Sequence, residues 1–206
     1  MPILKYDSEV EIEETTDPWL KAGDIVLVRG NGLGSLLIRV FTRHIGEPRT
    51  KVNHVALVTR AGFIFRDHNF EAEITEASSR VRTLPISVAY GPPRRDMIAV
   101  YRPTNLPLEL IDVITAAALE HVGQRYGYRR IAAHALDRLC LGAYFFRWLI
   151  PDNKYPICSW LVAHAYGHAG LGFGVPVGTA TPDDIWDFVE QVNGPYDCIW
   201  PLGRMH

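Results

Sequence analysis

The first half of the chain alternates between short apolar runs and polar or glycine-containing turns, a pattern typical of β-strands. Many of these runs are rich in β-branched residues, which suit a pleated and partly buried surface. We predict strands over Ile25–Val28, Val52–Thr59, Phe63–Arg66, Glu73–Ala77, Val81–Thr83 and Met97–Arg102.

After Pro103 the spacing of apolar residues becomes helical. The last predicted helix has the clearest start, because Thr181 can act as N-cap, Pro182 occupies the first helical position and two acids follow. We predict helices at about 35–42 and over 106–122, 130–149 and 158–166, and a last strand near 198–200. Strands followed by helices predict an α+β fold with an antiparallel sheet.

Length and charge indicate one ordinary domain without a broad basic surface. The chain has 206 residues, 48% of them hydrophobic, and a formal net charge of −2. We predict a lead-in over residues 1–22 and a single domain over 23–206. Because no basic field extends over the chain, we expect no binding of nucleic acid or of an anionic bilayer.

The cysteine count and the N-terminus predict a cytoplasmic protein without a membrane span. Three cysteines, Cys140, Cys158 and Cys198, form neither a disulfide framework nor a CxxC pair. The acidic N-terminus lacks the features of a secretory signal. The longest apolar stretch, residues 131–150, contains three charged residues and a histidine, so we predict a buried helix there rather than a transmembrane segment.

Cys158 is the strongest candidate for chemistry because it begins a helical pattern. A thiol at a helix N-terminus has a lowered pKa, since the positive end of the helix dipole stabilises the thiolate. The unpaired N–H groups of the first turn can also receive an oxyanion. Cys140, within an apolar helical pattern, and Cys198, in a terminal strand, have the pattern of inert structural cysteines.

A thiolate mechanism needs a base, and His54 is the best placed of the eight histidines. It lies in an otherwise apolar strand, where a polar imidazole must be hydrogen-bonded and is held in one orientation. A third residue should accept from the other ring nitrogen. Glu76 on a neighbouring strand is the leading candidate. Other acceptors nearby are Glu71, Glu73, Asp67 and His68.

These segments together resemble the circularly permuted NlpC-like papain-fold amidases, the YiiX/YaeF group, which is related to the lecithin retinol acyltransferase family. The similarity extends from Gly23 to Asp184, and the histidine precedes the cysteine as in the permuted branch. The matching pieces are Gly23-Asp24, Asn53-His54-Val55-Ala56-Leu57-Val58, Thr75-Glu76-Ala77, Gly123-Gln124-Arg125-Tyr126-Gly127-Tyr128, Cys158-Ser159-Trp160-Leu161-Val162 and Thr181-Pro182-Asp183-Asp184.

The resemblance implies a papain-like cysteine hydrolase with Cys158 as nucleophile, His54 as base and Glu76 as orienting residue. It also implies that Tyr126 borders the oxyanion site. The expected substrate is a small peptide, an acyl-amino acid or a lipid with an amide or ester bond, and no metal or organic cofactor is implied. Trp160 stands where many relatives have an acidic residue, and the Asn-Cys-Glu-His-Phe core of the acyltransferases is missing.

Three other functions compete with hydrolysis. The same site would also serve a lipid or peptide acyltransferase or esterase. A degenerate scaffold would instead bind lipid or peptide without catalysis, along the aromatic residues late in the chain. His164 and His168 have the i, i+4 spacing of metal ligands, but Ala165 replaces the glutamate of HExxH and Gly167 is expected to end the helix between them.

Overall fold

The computed structural model describes residues 19–30, 50–64, 70–91, 97–127 and 156–203. Within these ranges the chain is a mixed α+β structure in which antiparallel sheets pack against helices. The strands are β1 (Trp19–Leu20), β2 (Ile25–Val28), β3 (His54–Arg60), β4 (Gly62–Phe63), β5 (Glu73–Ala77), β6 (Val81–Pro85), β7 (Ile98–Pro103) and β8 (Tyr196–Trp200). The helices are α1 (Ile86–Tyr90), α2 (Leu108–Leu119), α3 (Cys158–His168) and α4 (Pro182–Val189), with a 3₁₀ turn at Val177–Thr179.

Six strands form the main sheet in the order β6-β5-β3-β2-β7-β8, and every neighbouring pair is antiparallel. The two remaining strands, β1 and β4, pair with each other. The predicted antiparallel sheet is therefore correct, although α1 interrupts the expected run of strands.

Alternation along the central strands divides the core into two layers. Leu27 and Val55 face the larger layer, which contains apolar residues of α2, α3 and α4. Val26 and Ala56 face the opposite layer, which contains residues of α1. Because successive strand residues point to opposite faces, strands buried on both sides read as continuous apolar runs. This explains the sequence of β2, whose four residues are all buried.

The start of α4 has the capping box that its sequence predicts. The Thr181 hydroxyl accepts a hydrogen bond from the Asp184 N–H at 3.1 Å, and the Asp184 carboxylate accepts from the Thr181 N–H at 2.8 Å. Pro182 needs no donor at the first helical position, and Asp183 and Asp184 lie at the positive end of the dipole.

The fold corrects three details of the sequence analysis. The helix α3 does not end before Gly167 but continues through it to His168. The strand expected over 63–66 is represented in the described residues by β4, which pairs with β1 outside the main sheet. Cys198 lies on β8 as expected, but its side chain is exposed rather than buried.

Several predicted features lie outside the described residues. These are the lead-in up to residue 18, the helices at 35–42 and 130–149, Cys140, Asp67 and His68. In the part of the chain that the structure describes, no helix is long and apolar enough to cross a membrane.

Candidate active site

The site forms where the end of the sheet meets the start of α3. His54 is the first residue of β3 and pairs with Val28 of β2. Cys158 is the first residue of α3, and its preceding residue, Ile157, has an extended backbone with no side-chain cap. The thiol is therefore at the point where the N–H groups of the first turn have no helical acceptor.

The Cys158 sulfur and the His54 ring are hydrogen-bonded to each other. The sulfur also accepts hydrogen bonds from the backbone N–H groups of Val55 and Ser159. Cys158 is only 4% exposed, so few water molecules compete for these contacts. Two residues far apart in sequence, the predicted nucleophile and the predicted base, are thus in direct contact.

The other side of the His54 ring contacts Glu76. His54 Nε2 and Glu76 Oε2 are 2.8 Å apart, which leaves Nδ1 as the ring nitrogen for the sulfur. Ala56 of β3 is directly opposite Glu76 of β5, and His54 lies two residues before Ala56 on the same face. The register of this strand pair therefore brings the carboxylate to the imidazole.

Glu76 accepts hydrogen bonds from two further side chains. Arg82, its cross-strand partner on β6, donates to Oε1 through Nε at 2.9 Å and through a terminal nitrogen at 2.6 Å. The Tyr90 hydroxyl donates to Oε2 at 2.6 Å. A carboxylate that is 3% exposed is thus surrounded by donors and can remain ionised.

The electrostatics of Cys158 and His54 favour a thiolate–imidazolium pair. Burial opposes the charged form of His54, but the negative charge and hydrogen bond of Cys158, assisted by Glu76, raise the pKa of His54 from 6.5 to about 10. Burial likewise opposes the Cys158 thiolate, and the charge and hydrogen bond of His54 nevertheless lower the pKa of Cys158 below its usual 9.0. The two shifts have one cause, since each charge stabilises the other.

The pKa values of Glu76 and Tyr90 are shifted in opposite directions. Burial works against ionisation of Glu76, but hydrogen bonds and charge from His54, with the hydrogen bonds of Tyr90 and Arg82, lower the pKa of Glu76 from 4.5 to about 2. Burial and the negative Glu76 raise the pKa of Tyr90 well above 10.0. Tyr90 therefore stays a neutral donor while Glu76 stays a negative acceptor.

Tyr126 lies in the loop beside the start of α3. The N–H of its neighbour Gly127 donates to the carbonyl oxygen of Pro156 at 3.0 Å, two residues before the cysteine. The Tyr126 side chain packs against the cluster that includes Ile157 and Trp160. This places Tyr126 close to the helix start, and its part in an oxyanion site remains a prediction.

The described competitors of Glu76 are engaged elsewhere. Glu71 is buried and accepts a hydrogen bond from the N–H of Ser87. Glu73 pairs with Arg60, its cross-strand neighbour on β3, at 2.8 Å. His68 and Asp67 lie outside the described residues.

Sequence reasoning missed Arg82 and Tyr90. For Arg82 a signal was available, because a tight turn between two adjacent strands places residues 76 and 82 opposite each other. For Tyr90 no local signal exists, since it comes from a short helix whose packing on the sheet brings the hydroxyl to Glu76.

No model of a known protein family matches the chain, and no curated protein sequence matches it. Among solved structures, one match is the crystal structure of the metalloprotein YiiX from Escherichia coli O157:H7. The TM-score is 0.56 with 14% sequence identity, and the match covers 88% of this chain and 98% of that chain. The fold is YiiX-like. At this identity the similarity to YiiX shows the fold alone.

YiiX is a metalloprotein, and this property is stated of YiiX alone. Across the ranges 19–30, 50–64, 70–91, 97–127 and 156–203, no three histidine, cysteine, aspartate or glutamate side chains form a group that could hold a metal ion. Two histidines of α3 are nevertheless close together, with His164 Nε2 and His168 Nε2 3.1 Å apart.

Proposed function

We propose that the protein is a papain-like cysteine hydrolase that cleaves an amide or ester bond through a thioester on Cys158. The observation that carries the proposal is the hydrogen-bonded series Cys158, His54 and Glu76, with the sulfur at the N-terminus of α3. A nucleophile, a base in contact with it and a group that orients the base are the arrangement that covalent acyl transfer requires.

The first half of the reaction forms the thioester. The Cys158 thiolate adds to the carbonyl carbon, and the electron pair of the C=O bond moves onto oxygen. N–H groups at the start of α3, with Tyr126 as a predicted neighbour, stabilise this oxyanion. When the C–O⁻ group re-forms the carbonyl, the bond to the amine or alcohol breaks, and the imidazolium of His54 donates its proton to the leaving group.

The second half returns the free enzyme. His54, now neutral, takes a proton from a water molecule, whose oxygen adds to the thioester carbonyl. The C–S bond breaks, the acid is released and the thiolate–imidazolium pair is restored. Glu76 holds the ring in one tautomer throughout, because its carboxylate accepts from Nε2–H and leaves Nδ1 for the proton transfer.

The YiiX-like fold supports the same proposal through the order of the residues. In the permuted papain-like branch the base precedes the nucleophile, and here His54 on an early strand precedes Cys158 on a late helix. We assign the chain to this branch as part of the proposal. The chemistry described needs no metal, since charged residues and backbone N–H groups supply each step.

Alkylation by iodoacetamide tests the proposal, with Cys198 as a control thiol in the same molecule. Cys198 is exposed, and partial loss of hydration raises its pKa above 9.0. We expect Cys158 to be alkylated faster than Cys198 at pH 6, despite its lower exposure, because only Cys158 is then a thiolate. Peptide mapping by mass spectrometry measures the two rates in one sample.

Two variants complete the test. His54→Ala should reduce Cys158 alkylation at pH 6 to the rate of Cys198 or below, since the thiolate loses its counter-ion. Cys158→Ala should remove the acyl-enzyme that p-nitrophenyl acetate forms with the wild type, as detected by intact mass, and change the melting temperature little at pH 6. Equal alkylation of the two cysteines at pH 6, or an acyl-enzyme in Cys158→Ala, would contradict the proposal.

A further inference from the structure

Three histidines and a tryptophan form a cluster of rings near the C-terminal half of α3, which we call the histidine cluster: His121, Trp160, His164 and His168. His164 stacks on Trp160 with ring centroids 4.3 Å apart and planes 14° apart. His121, which follows α2, has its ring centroid 5.0 Å from that of His164 and 5.1 Å from that of Trp160. None of these histidines takes part in the proposed hydrolysis.

Continuation of α3 through Gly167 brings His164 and His168 together. Residues four apart lie on the same face of a helix, and here the two Nε2 atoms are hydrogen-bonded at 3.1 Å, a contact that an ion bound between them would replace. At a metal–nitrogen distance of about 2.1 Å, two nitrogens with this separation subtend about 95° at an ion. That angle suits adjacent positions of a square-planar or octahedral ion, and a small movement of the rings would suit a tetrahedral one.

His121 provides a second and independent observation. Both of its ring nitrogens are buried, and neither has a hydrogen-bond partner among the described residues. A buried polar atom without a partner is destabilising, so a native structure normally provides a partner. A water molecule bound to an ion between His164 and His168 would be a donor for one of these nitrogens.

We propose that His164 and His168 are a chelating pair for one divalent transition-metal ion of the Zn²⁺, Ni²⁺ or Co²⁺ type. Imidazole nitrogens select such ions over Mg²⁺ and Ca²⁺, which prefer oxygen ligands. Water completes the coordination and contacts His121. The exposed side of His168 gives the ion a route from solvent.

The pair is separate from the thiol chemistry, so the two proposals can fail independently. Thiolates bind the same ions, and Cys158 with His54 would compete for them in the wild type. Titration of the Cys158→Ala protein removes this competitor while keeping all four members of the histidine cluster. Loss of hydrolysis in that variant says nothing about metal binding, and metal binding says nothing about hydrolysis.

Isothermal titration calorimetry with Zn²⁺ and Ni²⁺ on the Cys158→Ala protein tests the proposal. We expect a single site, and adding His164→Ala or His168→Ala should weaken binding at least about tenfold. A matched control combines His168→Ala with Ala169→His, which keeps the number of histidines but moves one to the cap residue after α3, five positions from His164. This control should bind no better than His168→Ala alone.

Two further measurements do not depend on the folding of the histidine variants. Nitrogen NMR of the imidazole rings in the Cys158→Ala protein should show Zn²⁺-dependent shifts at two Nε2 atoms. The near-ultraviolet spectrum of bound Co²⁺ should lack a thiolate charge-transfer band, as expected for nitrogen and water ligands. Binding that survives both histidine substitutions, a thiolate band, or no binding of any of these ions would overturn the proposal.

Discussion

Glu76 is a buried carboxylate with three side chains directed at it. His54 and Tyr90 both contact its Oε2 atom, and Arg82 contacts its Oε1 atom. Hydrogen bonds to the charged form stabilise an anion that burial would otherwise neutralise. Its negative charge in turn helps His54 to hold a proton, so one residue connects the sheet to the proposed chemistry.

Replacing Glu76 by glutamine should lower kcat/KM by at least about tenfold, a change of about 1.4 kcal/mol in transition-state stabilisation. The neutral amide no longer stabilises the imidazolium, so the basic limb of the pH–rate profile should move to lower pH. His54→Ala should be more damaging, since it removes the proton carrier itself. A Glu76→Gln enzyme with the wild-type rate and pH–rate profile would show that another residue orients His54.

Tyr90→Phe should have a smaller and distinct effect. Glu76 loses one donor to its charged form, so its pKa should rise from about 2 toward 4.5, and the acid limb of the activity profile should move to higher pH. Loss of the hydrogen bond should also lower stability by about 1 kcal/mol.

Tyr166→Phe is the matched control for Tyr90→Phe. Tyr166 is also a buried tyrosine whose hydroxyl donates one hydrogen bond, to the carbonyl oxygen of Gly23 at 2.6 Å. The Tyr166→Phe variant should lose a similar amount of stability without a shift of the pH–activity profile. If both variants shift the profile equally, Tyr90 acts only through general stability.

At the scale of elements, α3 has to be held against the sheet with its first turn at His54. Ser159, in that first turn, donates to the carbonyl oxygen of Ala180 at 2.7 Å. Ala180 directly precedes Thr181, the N-cap of α4. The start of one helix is thus tied by a hydrogen bond to the start of the next.

Thr181→Ala should therefore lower the free energy of unfolding by about 1 kcal/mol, because the Asp184 N–H loses its acceptor. Chemical denaturation measures the loss. Thr181→Ser keeps the hydroxyl and the capping box, so it should retain most of the stability. Equal loss in the alanine and serine variants would show that the methyl group, and not the cap, stabilises this junction.

The local patterns of the elements were informative because they depend on neighbouring residues. The strand pattern located β5 at the bounds expected, and the Thr-Pro-Asp-Asp segment located the start of α4. The expectation that Gly167 would end α3 was wrong, because α3 packs against β3 and α2 and this packing outweighs the about 1 kcal/mol cost of a helical glycine.

At the scale of the whole molecule, the ion pair links folding to pH. His54, with its pKa raised from 6.5 to about 10, contributes stability that is complete below pH 6.5 and is lost as pH rises to about 10. Cys158, with its pKa lowered from 9.0, contributes stability that is complete above pH 9 and is lost at lower pH. Between about pH 6.5 and 9 the two trends offset each other.

We expect the Cys158–His54 ion pair to give wild-type stability no net dependence on pH between about pH 6.5 and 9. The Cys158→Ala variant should instead lose stability as pH rises above 6.5. The variant lacks the offsetting contribution of the thiolate, while the hydrogen bond and charge of Glu76 still favour the protonated form of His54. Thermal unfolding of both proteins at several pH values measures the difference. Parallel curves for the two proteins would show that Cys158 carries no charge at neutral pH.

The sequence by itself determined the features that depend on residues close together in the chain. A continuous apolar run fixed β2, the capping residues fixed α4, and the position of Cys158 at the start of an apolar helical pattern made it the candidate nucleophile. Each follows from local propensity, capping or the helix dipole, which act over a few residues.

Only the tertiary structure decided which residues meet. The contact of Cys158 with His54, the choice of Glu76 over Glu71 and Glu73, the recruitment of Tyr90 and the approach of His121 to His164 all join distant segments. These contacts depend on strand register and on how helices pack against the sheet. Those are set by burial of the whole core, which no local pattern in the chain contains.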